Sequence, residues 1–301
     1  MRLYTFEHEN QFRLGAQWKT QLVDLGAAYR IFLERKPPET AAVLKRVPVD
    51  LSTFLQLGLP AFEAAREALA FASRRPAVPV DERLVYSFDE IKPRAPLPHR
   101  GKIVCATGAS NHWFVKLPST VIGTSDPIIG RSEINQLQSE ARLGVVIGKR
   151  SRMTPEAGAM SCVAGFTILN DISSQDGAFP QQNFLSKNAD TFCPMGPCMA
   201  TFDELPKLIG WKTSLNGALV QSGSMGEIIA SIPRSLHELS NTMTLEPGDI
   251  IGIALSPGFA IDLNARDISV IEIDGIGTLE NRVDDLPSSS DARGRDSGKT
   301  V

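Results

Sequence analysis

The chain is poor in the residues that build disulfide frameworks and most metal centres. Its 301 residues include only four cysteines and four histidines. Cys105, Cys162, Cys193 and Cys198 show no C-x-x-C spacing and sit mostly in apolar runs, so buried free thiols are expected rather than disulfides or a zinc site. His8, His99, His112 and His237 lie far apart, which leaves a histidine-based metal cluster unsupported. No apolar run reaches the roughly 18 residues of a membrane helix, and MRLYTFEHEN has neither signal-peptide nor transit-peptide character. A cytoplasmic protein with no membrane partner is the expectation. Net charge is −3 with no Lys/Arg stripe, so nucleic acid is not an expected partner either. The G-x-S-x-G elbow, the P-loop and H-E-x-x-H are missing, and Gly275-Ile276-Gly277 is too short for a dinucleotide fingerprint.

What is present divides into four stretches: a small N-terminal domain over 1–75, a proline-rich linker over 76–100, a main domain over 101–283 and a polar, disordered tail over 284–301. Residues 1–8 read as a strand. Gln17 to Glu34 places Leu22, Leu25, Tyr29 and Phe32 on one helical stripe. Asp50 or Ser52 can cap a further helix, and Ala61 to Ser73 resumes helical spacing. Pro76, Pro79, Pro93, Pro96 and Pro98 exclude a helix or central strand from the linker. In the main domain, Thr154-Pro155-Glu156 opens a short helix to Cys162, Asn216-Gly217 signals a type I′ hairpin, and Ile232 to Leu239 suggests a helix capped by Ser231. Leu245 to Asp249 turns into a strand over Ile250 to Leu255.

The main domain centres on Ser139 to Cys198. Glu140, Arg142, Gly144 and Val146 alternate against Ala141, Leu143, Val145 and Ile147, so Glu140 and Arg142 point to one face of a strand. A second apolar run, Val163 to Asn170, ends in Asp171. Lys187 follows in a polar loop before an apolar turn, Pro194-Met195-Gly196-Pro197. Charges at the ends of strands that otherwise read as core point to a site, or equally to a structural ion-pair network.

The segments VVIGKR, VAGFTILNDIS, SKNADTFCPMGP, MTLEPGDII and IDGIGTLENRV occur in order from about Gly101 to Val283. Together they resemble the fumarylacetoacetate hydrolase family. The resemblance implies an α+β, mainly β fold, a β-roll or sandwich preceded by a small N-terminal α/β module, and a homodimer. Members cleave, decarboxylate, hydrate or isomerise 2-oxo and β-dicarbonyl acids. They hold Mg²⁺ or Mn²⁺ with a Glu-x-Glu pair and a distant Asp. Carried across, the first Glu is Glu140, the Asp is Asp171, and the second Glu falls on Arg142. The family lysine falls on Lys187. The lid that bears a His–Glu pair is almost wholly deleted before Phe114-Val-Lys116-Leu-Pro-Ser. His112 lies one position short of the family histidine, beside Asn111. Where the family places Thr-Gly-Thr-Pro-x-Gly to grip a carboxylate, this chain has Ile253-Ala-Leu255-Ser256-Pro-Gly, which implies a preference for an apolar or extended ligand.

These substitutions bear on chemistry. A dication beside a guanidinium that cannot deprotonate is strongly disfavoured. No cofactor is therefore expected, with Mg²⁺ or Mn²⁺ retained only if Arg142 is displaced. The candidate catalytic residues are Lys187, Arg142, Glu140, Asp171 and His112, two of the cations being balanced by the two carboxylates. The candidate substrate-binding residues are Lys116, Asn111, Ile253, Leu255 and Ser256. The function expected is a metal-independent hydrolase or lyase that handles a β-dicarbonyl, 2-oxo or polyketide-like small molecule through an enol or enolate, by C–C cleavage, decarboxylation, or isomerisation and cyclisation. The alternatives are an ordinary Mg/Mn-dependent 2-oxo acid hydrolase or decarboxylase, and a non-catalytic member kept for binding or assembly.

Overall fold

A computed structural model describes residues 1–36, 45–77, 82–98, 101–107, 112–130, 136–174 and 183–284. Asn111, most of the polar tail and part of the proline-rich stretch lie outside the described residues. Two sheets carry a mainly β architecture, as expected. The larger runs from Val85–Ser87 through Gln21–Asp24, Gln11–Trp18, Arg2–His8, Cys193–Ala200, Val163–Ser174, Leu137–Ile147, Ile250–Ala254 and Ile103–Thr107 to His112–Lys116. The smaller holds Ala218–Ser224, Gly210–Leu215, Ile268–Ile273, Gly277–Asp284 and Ile128–Ile129.

The two longest strands, Leu137–Ile147 and Val163–Ser174, pair antiparallel at the centre, with Glu140 opposite Asp171 and Arg142 opposite Leu169. On its other side Leu137–Ile147 pairs with Ile250–Ala254, where Arg142 stands opposite Ala254. Cross-strand partners share a face. Ile250–Ala254 runs parallel to Ile103–Thr107, which pairs in turn with His112–Lys116 and sets Cys105 opposite Phe114. Glu140, Arg142, Asp171, Ala254, Cys105, Phe114 and Lys116 therefore lie on one face. Leu143, Val145, Ile251 and Ile253 lie on the other.

Each face is covered differently. On the Arg142 face, one core cluster joins Cys105, Val146, Leu169 and Ile250 to the buried side of helices Leu25–Glu34, Leu51–Leu57 and Leu59–Ser73. Ala61, Ala64, Ala65, Ala68 and Ala72 let the last of these approach closely. On the opposite face, Leu143, Val145, Ile168 and Ile251 pack against Ile232, Leu236 and Leu239 of helix Gly226–Thr242 and against Ile271, Ile273 and Leu279 of the smaller sheet.

Several local expectations change. Gln17 to Glu34 is not one helix: strands Gln11–Trp18 and Gln21–Asp24 precede helix Leu25–Glu34, whose cap is Asp24 accepting from the Ala27 amide. So short a span leaves the helical stripe undecided, and pairing of Gln21–Asp24 with Gln11–Trp18 and Val85–Ser87 makes it a strand. Asp50, not Ser52, caps the second helix, through the Thr53 amide. The proline-rich stretch contains strands Val85–Ser87 and Lys92–Arg94. Each pairs with a single neighbour, so Pro93 costs no central ladder bond. Pro194 to Pro197 is no turn. It belongs to the fully buried strand Cys193–Ala200, which joins the first strand of the chain to the central pair. The helix expected over Ile232 to Leu239 spans Gly226–Thr242 with Ser231 inside it, its Oγ bonding the Ile228 carbonyl rather than capping. The Asn216-Gly217 hairpin forms with both residues at positive φ, 54° and 80°.

Candidate active site

Five charged side chains gather on the Arg142 face. Arg142 is the largest fully buried side chain of the fold, its side chain only 1% exposed. Its Nε and Nη2 donate to Asp171 Oδ2 at 3.2 and 3.0 Å, Nη2 donates to Glu140 Oε2 at 2.5 Å, and Nη1 donates to the Ala106 carbonyl at 2.6 Å. The Lys187 Nζ donates to Asp171 Oδ2 at 3.0 Å. The Lys116 Nζ, with no side-chain exposure at all, lies 2.9 Å from Asp171 Oδ1 and donates to the Ile172 carbonyl at 2.8 Å. The Phe114 ring underlies two of the cations, its centroid 5.2 Å from Arg142 Cζ and 4.4 Å from Lys187 Nζ.

Three cations thus face two carboxylates, leaving the cluster one positive charge in excess rather than balanced. The extra cation is Lys116, which sequence reasoning assigned to substrate. The alternation of His112-Trp-Phe-Val-Lys116 already placed it and Phe114 on one face. What the sequence did not show was that this edge strand lies three strands over from that of Arg142, with Ile250–Ala254 and Ile103–Thr107 between them.

The two carboxyls are driven apart. Burial alone would raise Asp171, but the charges of Lys116, Arg142 and Lys187 outweigh it and hold the group well below the usual carboxylate range. At Glu140 burial wins over Arg142, aided by repulsion from Asp171, and its carboxyl is pushed up. The Arg142 guanidinium is held charged against its own burial, chiefly by Asp171. Beneath the cluster, burial pushes the Cys105 thiol up to about 11 and Cys193 up to about 12, which makes both poor nucleophiles.

Access is unequal. The Lys187 side chain is 21% exposed and Glu140 17%, whereas Arg142, Lys116 and Asp171 lie behind them. Lys187 ends the short helix Asn183–Lys187 rather than sitting in a loop, and its ammonium donates to Asp171 from a partly exposed position. Arg142 cannot reach a ligand from its present position, so a direct donor role for it is corrected to one of charge and positioning. His112 shares the face but stands exposed at the beginning of its strand. Ile253 and Leu255 do not face the cluster; Ala254 does. Ile253 and Leu255 line a cavity of about 560 Å³ with Ala106, Trp113, Ala254, Ile228 and Arg234, beside helix Gly226–Thr242. Ser256 follows the strand, its carbonyl accepting from the Phe259 amide. The apolar-ligand preference drawn from residues 253 and 255 therefore loses its footing.

A family model, fumarylacetoacetate hydrolase C-terminal, matches residues 104–284. The chain belongs to this family. The Bacillus subtilis protein named oxaloacetate tautomerase YisK is 34% identical over 269 residues, covering 80% of this chain and 88% of its own length. Among solved structures, fumarylacetoacetate hydrolase from Exiguobacterium antarcticum superposes with a TM-score of 0.72 at 25% identity, over 95% of this chain and 99% of its own. A maleylpyruvate hydrolase from Sphingobium sp. SYK-6, in complex with manganese and pyruvate, shares the fold with a TM-score of 0.73 at 23% identity, over 95% of this chain and all of its own.

The divalent ion that this family implies does not fit the residues present. The space between Glu140 and Asp171 is filled by the Arg142 guanidinium, which takes an oxygen from each. Among the described residues no three His, Cys, Asp or Glu side chains converge as a ligand set.

Proposed function

We propose that this chain is an enol-handling enzyme that interconverts or cleaves a small 2-oxo or β-dicarbonyl acid without a divalent ion. The observation that carries the reading is the placement of the two carboxyls, Asp171 buried among three cations and Glu140 partly exposed at the mouth with Lys187. Asp171 is the anchor at the back, held by three cations, and Glu140, its carboxyl pushed up by burial, stands at the mouth with the partly exposed ammonium of Lys187. Pairs of acids driven apart in this way divide into a charge holder and a proton carrier. In a keto–enol exchange, Glu140 takes a proton from the carbon next to the 2-oxo group as the carbonyl oxygen gains charge. Lys187 donates a hydrogen bond to that oxygen, and the proton returns to oxygen from Glu140. Arg142 and Lys116 keep Asp171 ionised and Lys187 in place. The excess positive charge suits an anionic substrate. The tautomerase name of the Bacillus subtilis relative supports the isomerisation arm of this reading, with oxaloacetate as the first substrate to test.

The test follows loss of the enol form of oxaloacetate by ultraviolet absorbance. Lys187→Met and Glu140→Gln should each slow the exchange by about a hundredfold, the scale of losing one oxyanion donor or one proton carrier. EDTA should leave the native rate unchanged. Full activity in both variants, with native circular dichroism, would sink the roles given to Glu140 and Lys187, and loss of activity in EDTA would sink metal independence. A second reading rests on the closure of the cluster upon itself, since Arg142 spends its donors on protein oxygens: a family member that binds but does not turn over. Binding of oxaloacetate with no turnover of any 2-oxo acid supports it. The homodimer belongs to the same proposal, and sedimentation at tens of micromolar would refute it by showing monomer alone.

A further inference from the structure

Three protein oxygens converge on one guanidinium. Glu140 Oε2 and Asp171 Oδ2 lie 2.5 and 3.0 Å from the same nitrogen, Nη2, and the Ala106 carbonyl lies 2.6 Å from Nη1. These oxygens come from three neighbouring regions of the sheet: Leu137–Ile147, Val163–Ser174 and Ile103–Thr107. Oxygens drawn together from separate strands, two of them anionic, form a cradle for a hard cation. The chain fills it with its own side chain.

We infer that Arg142 is a tethered counterion, and that one substitution, Arg142→Glu, converts the cluster into a binding site for a divalent cation. The charge balance supports the exchange. With Arg142 present, three cations against two carboxylates leave one positive charge in excess. With a third carboxylate at position 142 and a bound dication, the excess against Lys116 and Lys187 is again one positive charge, so the environment that tolerates the first state tolerates the second. With Arg142 retained, a dication would raise that excess to three in a site whose innermost groups are sealed from water. The space also suits the exchange. Glutamate is shorter than arginine, so its carboxylate ends near the present Cδ and Nε, and the guanidinium plane between Glu140 and Asp171 is vacated for an ion. Gly252 and Ala254, on the neighbouring strand of the same face, set no bulky side chain against it.

The inference is independent of the proposed reaction, because cation uptake is measured without substrate. Mn²⁺ is titrated into native protein and Arg142→Glu, with binding followed by electron paramagnetic resonance and by calorimetry. The expected result is one Mn²⁺ per chain in the variant, bound at least a hundredfold more tightly than any binding to native protein. Stoichiometric Mn²⁺ on native protein with comparable affinity overturns the inference, as does a folded variant that takes up none. If Arg142→Glu does not fold, Arg142→Ala decides: millimolar methylguanidinium should raise its thermal midpoint by several degrees and leave native protein unmoved. No rise in that variant overturns the inference.

Discussion

Asp171→Asn is the sharpest single perturbation of this fold. The side chain is fully buried and within 3.2 Å of three cations, of which Arg142 and Lys116 have essentially no exposure. The amide is nearly isosteric, so the change removes charge and leaves shape. Lys116 then keeps the Ile172 carbonyl alone, and Arg142 keeps the Ala106 carbonyl and the Glu140 carboxylate. Removing one partner of a buried ion pair costs roughly 3–5 kcal/mol, because the remaining charge can neither pair nor hydrate. Guanidinium has no neutral form to retreat to. Set against a total stability of about 5–15 kcal/mol, that loss is large. At roughly 2–4 °C per kcal/mol it corresponds to a fall in thermal midpoint of about 6–20 °C. Circular dichroism melts and urea titrations measure it. Glu140→Gln is the control: its partly hydrated side chain meets one cation, so the cost should be near 1 kcal/mol. Lys116→Met in the Asp171→Asn background should recover part of the loss by removing an orphaned charge. A midpoint for Asp171→Asn within 2 °C of the parent would refute the claim that this carboxylate neutralises the cluster (an order-of-magnitude bound on the same scale).

Other consequences follow from single contacts. Because the folded-state acidity of Asp171 is depressed below its unfolded value, its contribution to stability is present above the ordinary carboxylate range and lost as pH falls through and below about 4. Urea midpoints should therefore drop more steeply over that window in native protein than in Asp171→Asn. Glu140 has the opposite sign: its raised carboxyl makes the fold slightly less stable as pH rises through the ordinary range, and Glu140→Gln should flatten that slope. Gly252→Ala would put a Cβ 2.6 Å from the Cys105 Sγ and should cost about 1–3 kcal/mol in unfolding assays, with partial recovery in Cys105→Ala. Asp50→Ala removes the acceptor for the Thr53 amide and should cost about 1 kcal/mol.

Much of the main domain was legible from local pattern. Strict alternation around Val145 requires Glu140 and Arg142 to share a face whatever the strand pairs with, because side-chain direction in a strand has period two. Asn-Gly between two extended runs identifies its hairpin for the same local reason, and the ordered motifs across 101–283 identified the family. The N-terminal half was less legible. Short elements such as Gln21–Asp24 carry too few residues for one period to prevail, and their state is decided by a neighbouring strand.

The composition of the site was decided elsewhere. Lys116, Phe114 and Ala106 reach Arg142 only because Ile250–Ala254, more than a hundred residues away in the chain, inserts between Leu137–Ile147 and Ile103–Thr107. That insertion also sets which of Ile253, Ala254 and Leu255 faces the charges, since a shift of one residue in register would exchange the two faces. Sequence alone determined that an arginine stands where a carboxylate would be expected. Tertiary structure alone decided that it is buried, spends its hydrogen bonds on Glu140, Asp171 and Ala106, and leaves Glu140 and Lys187 at the surface. Charge and alternation are properties of each residue and its neighbours, whereas burial and pairing depend on strands that meet only in the folded sheet.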